Sequence, residues 1–172
     1  MVASTTKCRY AAPVMSSTGA AQADELRRLM QRLFRRFGAL AADATPCGKP
    51  LSMAHAHALM VLLAKGELSQ RQLGAELCID KSNVARLSAR MVAAGHIDQR
   101  PSEIDARSRR LSLTAKGTRL AREVDAASGE RFGSLLSALP RASRRRVLDS
   151  MHELVTSLDE LPVVDSTKGR SR

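Results

Sequence analysis

The chain has 172 residues and a formal net charge of +11, from 28 Lys and Arg against 17 Asp and Glu. At 44% hydrophobic it can build a globular core, which excludes a mainly disordered chain. Aromatic residues make up only 2%, which argues against single-strand binding on stacking platforms and against an aromatic carbohydrate cleft. The positive excess points to a polyanion, nucleic acid or acidic membrane, and its placement along the chain has to decide between them.

In chain order, residues 1–20 are rich in Ser, Thr and Ala without periodicity and predict a disordered tail. Leu26, Leu29, Met30, Leu33, Phe34, Phe37 and Leu40 then recur at helical spacing, with Arg27, Arg28, Arg32, Arg35 and Arg36 opposite. This predicts a long amphipathic helix over about 21–42, followed by a loop at Thr45–Pro50. A second helix is expected from Ser52 to Lys65, closed by Gly66, and a short third from Ser69 to Leu77. Asp80 can cap a fourth that stops at Gly95.

The period then changes to alternation. Residues 96–100 and 110–113 read as two short strands around a polar tip at 101–108. Thr114 opens another helical stretch, Pro140 interrupts it, and a last helix carries Val147, Leu148, Met151, Leu154, Val155, Leu158 and Leu161. Residues 162–172 read as a solvated tail.

Between Lys81 and Leu120 stand nine Lys or Arg and three acids, a net +6, whereas the last helix balances four against four. Over half of the charge therefore falls on one helix–hairpin unit and the helix start after it. Within it, Leu73, Gly74, Leu77, Ile79, Val84 and Leu87 have the spacing of a helix-turn-helix, with Gly74 at the closest approach. Its second helix would turn Lys81, Ser82, Asn83, Ala85, Arg86 and Arg90 outward. Arg pairs with guanine, Asn with adenine, Lys and Ser with phosphate or a base edge, and the Ala85 methyl suits thymine. In the hairpin, Arg100, Arg107, Arg109 and Arg110 can reach the neighbouring minor groove. The alternative is a solvated face with ordinary surface pairs, such as Asp105 with Arg107.

These residues resemble the MarR family of transcriptional regulators. The likeness lies in Leu73–Leu77, Val84–Leu87 and Ala94–Ile97, and most specifically in Asp105-Ala106-Arg107-Ser108-Arg109-Arg110-Leu111-Ser112-Leu113-Thr114. It implies a mostly α fold with a small two- or three-stranded antiparallel wing, a winged helix-turn-helix with a helical dimerisation region. The domain would span 21–161, with dimerisation helices at about 21–42 and 115–161 and a DNA-binding lobe at about 52–114. The resemblance also implies a homodimer on a pseudo-palindromic operator of double-stranded DNA. Arg107 becomes the minor-groove residue at the wing tip, steadied by Asp105, and the regulator a repressor released by a small, phenolic effector. Met53, His55, His57 and Met60 are the candidate pocket residues. Cys78 departs from the pattern, because helix-turn-helix turns often carry Gly there. A positive φ would strain it.

Other chemistries find less support. Cys8, Cys47 and Cys78 form no CxxC pair, so neither a zinc clasp nor a disulfide framework is indicated. His55 and His57, two apart, would face different ways on a helix, and no metal or cofactor is expected. No nucleophile elbow, phosphate loop or zinc-protease motif appears, which disfavours an enzyme. No apolar run approaches the roughly 18 residues of a membrane helix, and the N-terminus lacks a signal-peptide core. A reduced, cytoplasmic protein without a membrane partner is the expectation. Two rival functions are a redox-responsive regulator using one of the cysteines and a nonspecific architectural DNA-binding protein. Peroxide sensitivity of DNA release marks the first, and indifference to a palindrome marks the second.

Overall fold

The computed structural model describes residues 17–101 and 108–161. The chain forms two compact units, parted between Leu40 and Ala41. The first holds α1 (Ser17–Phe37), which buries none of its residues. It begins inside the segment expected to be a tail and ends five residues earlier than the apolar stripe suggested. Gly38 causes that stop. At φ 84° it takes the left-handed conformation that ends helices, and Ala39 N–H reaches back to the Phe34 carbonyl at 3.0 Å. Leu40, counted in the stripe, lies beyond the helix.

The second unit contains α2 (Met53–Lys65), β1 (Leu68–Ser69), α3 (Gln70–Glu76), α4 (Lys81–Ala93), β2 (Ile97–Pro101), β3 (Arg109–Leu113), α5 (Ala115–Ser137) and α6 (Arg144–Glu160). One turn of 3-10 helix at Arg141–Ser143 joins the last two. The two caps read from the sequence both act: Ser52 and Asp80 accept from the backbone N–H groups of His55 and Asn83. Thr114 accepts likewise from Gly117 N–H, and Ser69 forms a reciprocal capping box with Gln72, two caps not read from the sequence.

The sheet is antiparallel in the order β1-β3-β2. Leu111 is the shared centre, opposite Leu68 on one side and Gln99 on the other. Alternation along β3 turns Leu111 into the core while Arg110 stays at the partly exposed face. The core gathers Leu59 and Leu62 from α2, Leu73 from α3, Val84, Leu87 and Met91 from α4, Ile97 and Leu111 from the sheet, and Ala121 and Val124 from α5. Beyond Val124 no residue of α5 is buried, and none of α6. No helix among the described residues is long and apolar enough to cross a membrane.

Candidate nucleic-acid interface

Helices α3 and α4 cross as the sequence spacing requires. A Cβ at Gly74 would lie 3.3 Å from both the Ile79 carbonyl oxygen and Val84 Cγ1, so a side chain there would push its neighbours back by a few tenths of an ångström, and glycine suits this close approach. The intervening turn is a Schellman motif. Cys78 N–H bonds the Ala75 carbonyl at 3.1 Å and Ile79 N–H bonds the Gly74 carbonyl at 3.0 Å. The motif needs a left-handed residue at Cys78, and its φ is 51°.

With Val84, Leu87, Ser88 and Met91 facing the core, α4 turns Lys81, Ser82, Ala85, Arg86 and Arg90 to solvent. Ser88 is the one polar member of the buried face, and its hydroxyl is satisfied by the Val84 carbonyl at 2.8 Å. Asn83 differs from the other outward candidates. It is half-buried, its amide nitrogen bonds Asp80 Oδ2, and its amide oxygen accepts from Arg86. Asp80 thus caps the helix and, through Asn83, sets the Arg86 guanidinium. The Asn83 backbone N–H bonded to Asp80 is the main reason its carboxyl sits below the ordinary 3.8.

The hairpin continues the positive surface. Arg100 lies directly opposite Arg110, and Pro101 opposite Arg109. Arg100 and Arg109 are exposed. Arg110 is engaged, with its Nε 2.8 Å from Glu67 Oε1, so it braces the tip-side end of β3 against the segment entering β1. Asp105 and Arg107 lie outside the described residues. A cleft of about 690 Å³ opens between α3, the start of α4 and β3, with Arg71, Gln72, Lys81, Arg109 and Arg110 on its walls. Arg71 and Gln72 were not among the sequence candidates. They belong to the first helix of the motif, and only its crossing with α4 and the sheet brings them here.

Arg90 occupies the last turn of α4, and its charge acts on His55. The α2 candidates do not line the cleft. Met53 and His55 are half-buried, His57 is exposed, and Met60 packs against the core. His55 meets His96 across 3.0 Å, a pairing that a separation of 41 positions hid from the sequence. Cys47 is half-buried, its Sγ 3.0 Å from the Thr45 hydroxyl, and Cys78 is exposed. Among the described residues no group of three or more His, Cys, Asp or Glu is placed to hold a metal ion.

The MarR family model matches residues 49–108, from the approach to α2 through the hairpin tip. A comparison with curated proteins gave no match. Among solved structures, a MarR family protein from Bacillus stearothermophilus shares 20% identity at a TM-score of 0.63, covering 86% of this chain and 100% of its own. FabT from Streptococcus pneumoniae, solved in complex with DNA, shares 17% at a TM-score of 0.66, covering 83% and 99%. BpsR from Bordetella bronchiseptica, whose DNA binding is regulated by 6-hydroxynicotinic acid, shares 19% at 0.63, covering 76% and 98%. The chain thus matches the MarR family model over residues 49–108 and shares the fold of these structures over most of its length.

Proposed function

We propose that this chain is a dimeric, sequence-specific DNA-binding regulator of transcription, acting as a repressor that a small ligand releases. The observation that carries the reading is the continuous cationic surface of α4, the cleft beside it and the hairpin. Lys81 and Arg71 suit phosphate, where they supply affinity without sequence information. Arg86, held in place by Asn83, suits the edge of guanine in the major groove. Arg100 and Arg109 point the same role at the wing, and Arg107 at its tip would enter the minor groove.

The apolar faces that the chain leaves open support the dimer. Leu148, Met151, Val155 and Leu158 recur at helical spacing along α6, and Val155 and Leu158 are 50% and 54% exposed. With α1 they would form dimerisation helices, outside a DNA-binding lobe at about 52–114. A two-fold pair would set two α4 helices about 34 Å apart, one turn of DNA, and select a pseudo-palindromic operator. Ligand release draws on the likeness to BpsR. A small acid or phenol among Met53, His55, His57 and Met60 acts only if it binds the form that does not hold DNA more tightly.

The test is fluorescence anisotropy on DNA from upstream of the chain's own coding sequence, titrated with random competitor, phenolic acids and peroxide. The expected result is preference for a palindromic fragment, relieved by one of the acids. Equal affinity for competitor would overturn specificity in favour of an architectural role. Release by peroxide alone would replace the ligand with a cysteine switch.

A further inference from the structure

The His55–His96 contact lies outside the cleft, and His96 takes part in none of the steps above, although His55 is among the residues proposed for the ligand. Nε2 of His55 stands 3.0 Å from Nδ1 of His96, the ring centroids are 5.1 Å apart, and the planes meet at 64°. His55 belongs to the first turn of α2, with its backbone N–H on the capping Ser52. His96 is the last residue of the turn between α4 and β2, and is only 8% exposed.

That turn is held from two sides, by α4 and by the head of α5. His96 N–H bonds the Met91 carbonyl of α4, and the His96 carbonyl accepts Thr114 N–H at the head of α5. The Thr114 hydroxyl donates to the Gly95 carbonyl and Lys116 Nζ to the Ala94 carbonyl, each at 2.8 Å. The imidazole pair adds a third element, α2. It is therefore the side-chain tie between α2 and the point where the DNA-reading helix passes into the wing.

The tie has a chemical condition. One ring must donate an N–H to a bare nitrogen of the other, so two protonated rings have nothing to share. Arg90 of α4 acts on His55 and Lys116 of α5 acts on His96, so protonated rings meet like charge from both sides. We propose that this contact is an acid-sensitive latch. With neutral rings it ties α2 to the turn between α4 and β2, and proton uptake from solvent opens it and loosens α4 from its DNA-reading position. The consequence for DNA rests on the function proposed above, whereas the latch itself does not.

Burial first, then the charges of His96 and Arg90, lower His55 to about 4, and burial with Lys116 lowers His96. Because the open form takes up the proton near 6.5, the latch is full above that value and weakens as pH falls toward 4. For His55 alone, opening becomes up to about tenfold easier at pH 5.5 than at 7.5. Ordinary electrostatics predicts the reverse for DNA, since added positive charge tightens binding to phosphates.

The experiment uses the full chain. Imidazole titration by NMR should place His55 and His96 below the ordinary value of about 6.5. Exchange of the His96 amide, corrected for its intrinsic pH dependence, should rise toward tenfold between pH 7.5 and 5.5. Affinity for the palindromic fragment should fall over the same interval, and His55→Gln, which keeps a neutral hydrogen-bonding side chain, should lose that fall. Ordinary titration of both rings, or exchange indifferent to pH, overturns the latch; both are read on the wild type and stand even if His55→Gln fails to fold. Opening without loss of DNA affinity overturns its regulatory role. A chain that binds no DNA at any pH, yet shows the titration and exchange, overturns the proposed function and leaves the latch standing.

Discussion

Cys78 and Gly95 occupy the same backbone position after two consecutive helices. Both close a Schellman motif, at φ 51° and 69°, but only glycine adopts that conformation without a Cβ penalty. Cys78→Gly should therefore stabilise the chain by about 0.5–1 kcal/mol, the relief of left-handed strain less the added freedom of the unfolded chain. Urea denaturation measures it, and no gain would mean that the turn bears no strain. Gly117 is the opposite case. An exposed helical glycine gains about 1 kcal/mol on change to Ala. Here the new Cβ would sit 1.8 Å from the His96 carbonyl oxygen, a backbone atom that Thr114 also holds. Gly117→Ala should destabilise by about 2 kcal/mol or more, because overpacking against a fixed backbone outweighs propensity. A raised Tm would refute it. For recognition, Arg86→Ala should cost about 1–3 kcal/mol on the operator and relax one base position. Equal losses on operator and random DNA would reduce Arg86 to a phosphate contact.

Helix α4 depends on its cap as well as its packing. The Asp80 carboxylate accepts from Asn83 N–H and holds the Asn83 amide, which in turn fixes Arg86. Its lowered native value gives the sign of the acid response. The stabilisation is complete above the unfolded value of 3.8 and is lost as pH falls through the lower native one. Asp80→Ala should lower Tm at neutral pH and flatten the loss of Tm below pH 4, checked by thermal melts across that range. The wing has a comparable brace in Arg110 and Glu67. Arg100, Arg109 and Arg110 were read alike from the sequence, but the ion pair with Glu67 sets Arg110 apart. Arg110 turns toward Glu67 and braces the tip-side end of β3, leaving Arg100 and Arg109 exposed. Lys81, on the cleft wall, should behave as a phosphate contact. Lys81→Ala is expected to weaken all DNA alike and to reduce the salt slope by about 1.

For the molecule as a whole, the core is complete only within the winged unit, while α6 and the later half of α5 bury nothing. Such faces are stable in water only when something covers them. Val155→Glu should shift a dimer to monomer in sedimentation velocity and lower operator affinity, leaving the winged core folded. A monomeric wild type would remove the dimer from the proposal.

The order of the six helices, two of their caps, the strand pair and the cationic surface were legible in the sequence, whereas the two-residue β1, too short to show alternation, was not. Each depends on local periodicity, a capping side chain or a count of charges, and these act over a few residues. Gly38 went unread because an apolar stripe continued past it, and a left-handed glycine ends a helix whatever follows. Asn83 and Arg110 were read by residue type alone, and type does not say which neighbour a side chain will bond. The His55–His96 pair and the Gly117 contact belong to the tertiary structure entirely. They join positions far apart in the chain, and only the packing of α2, α4 and α5 around one turn brings imidazole to imidazole and helix to carbonyl.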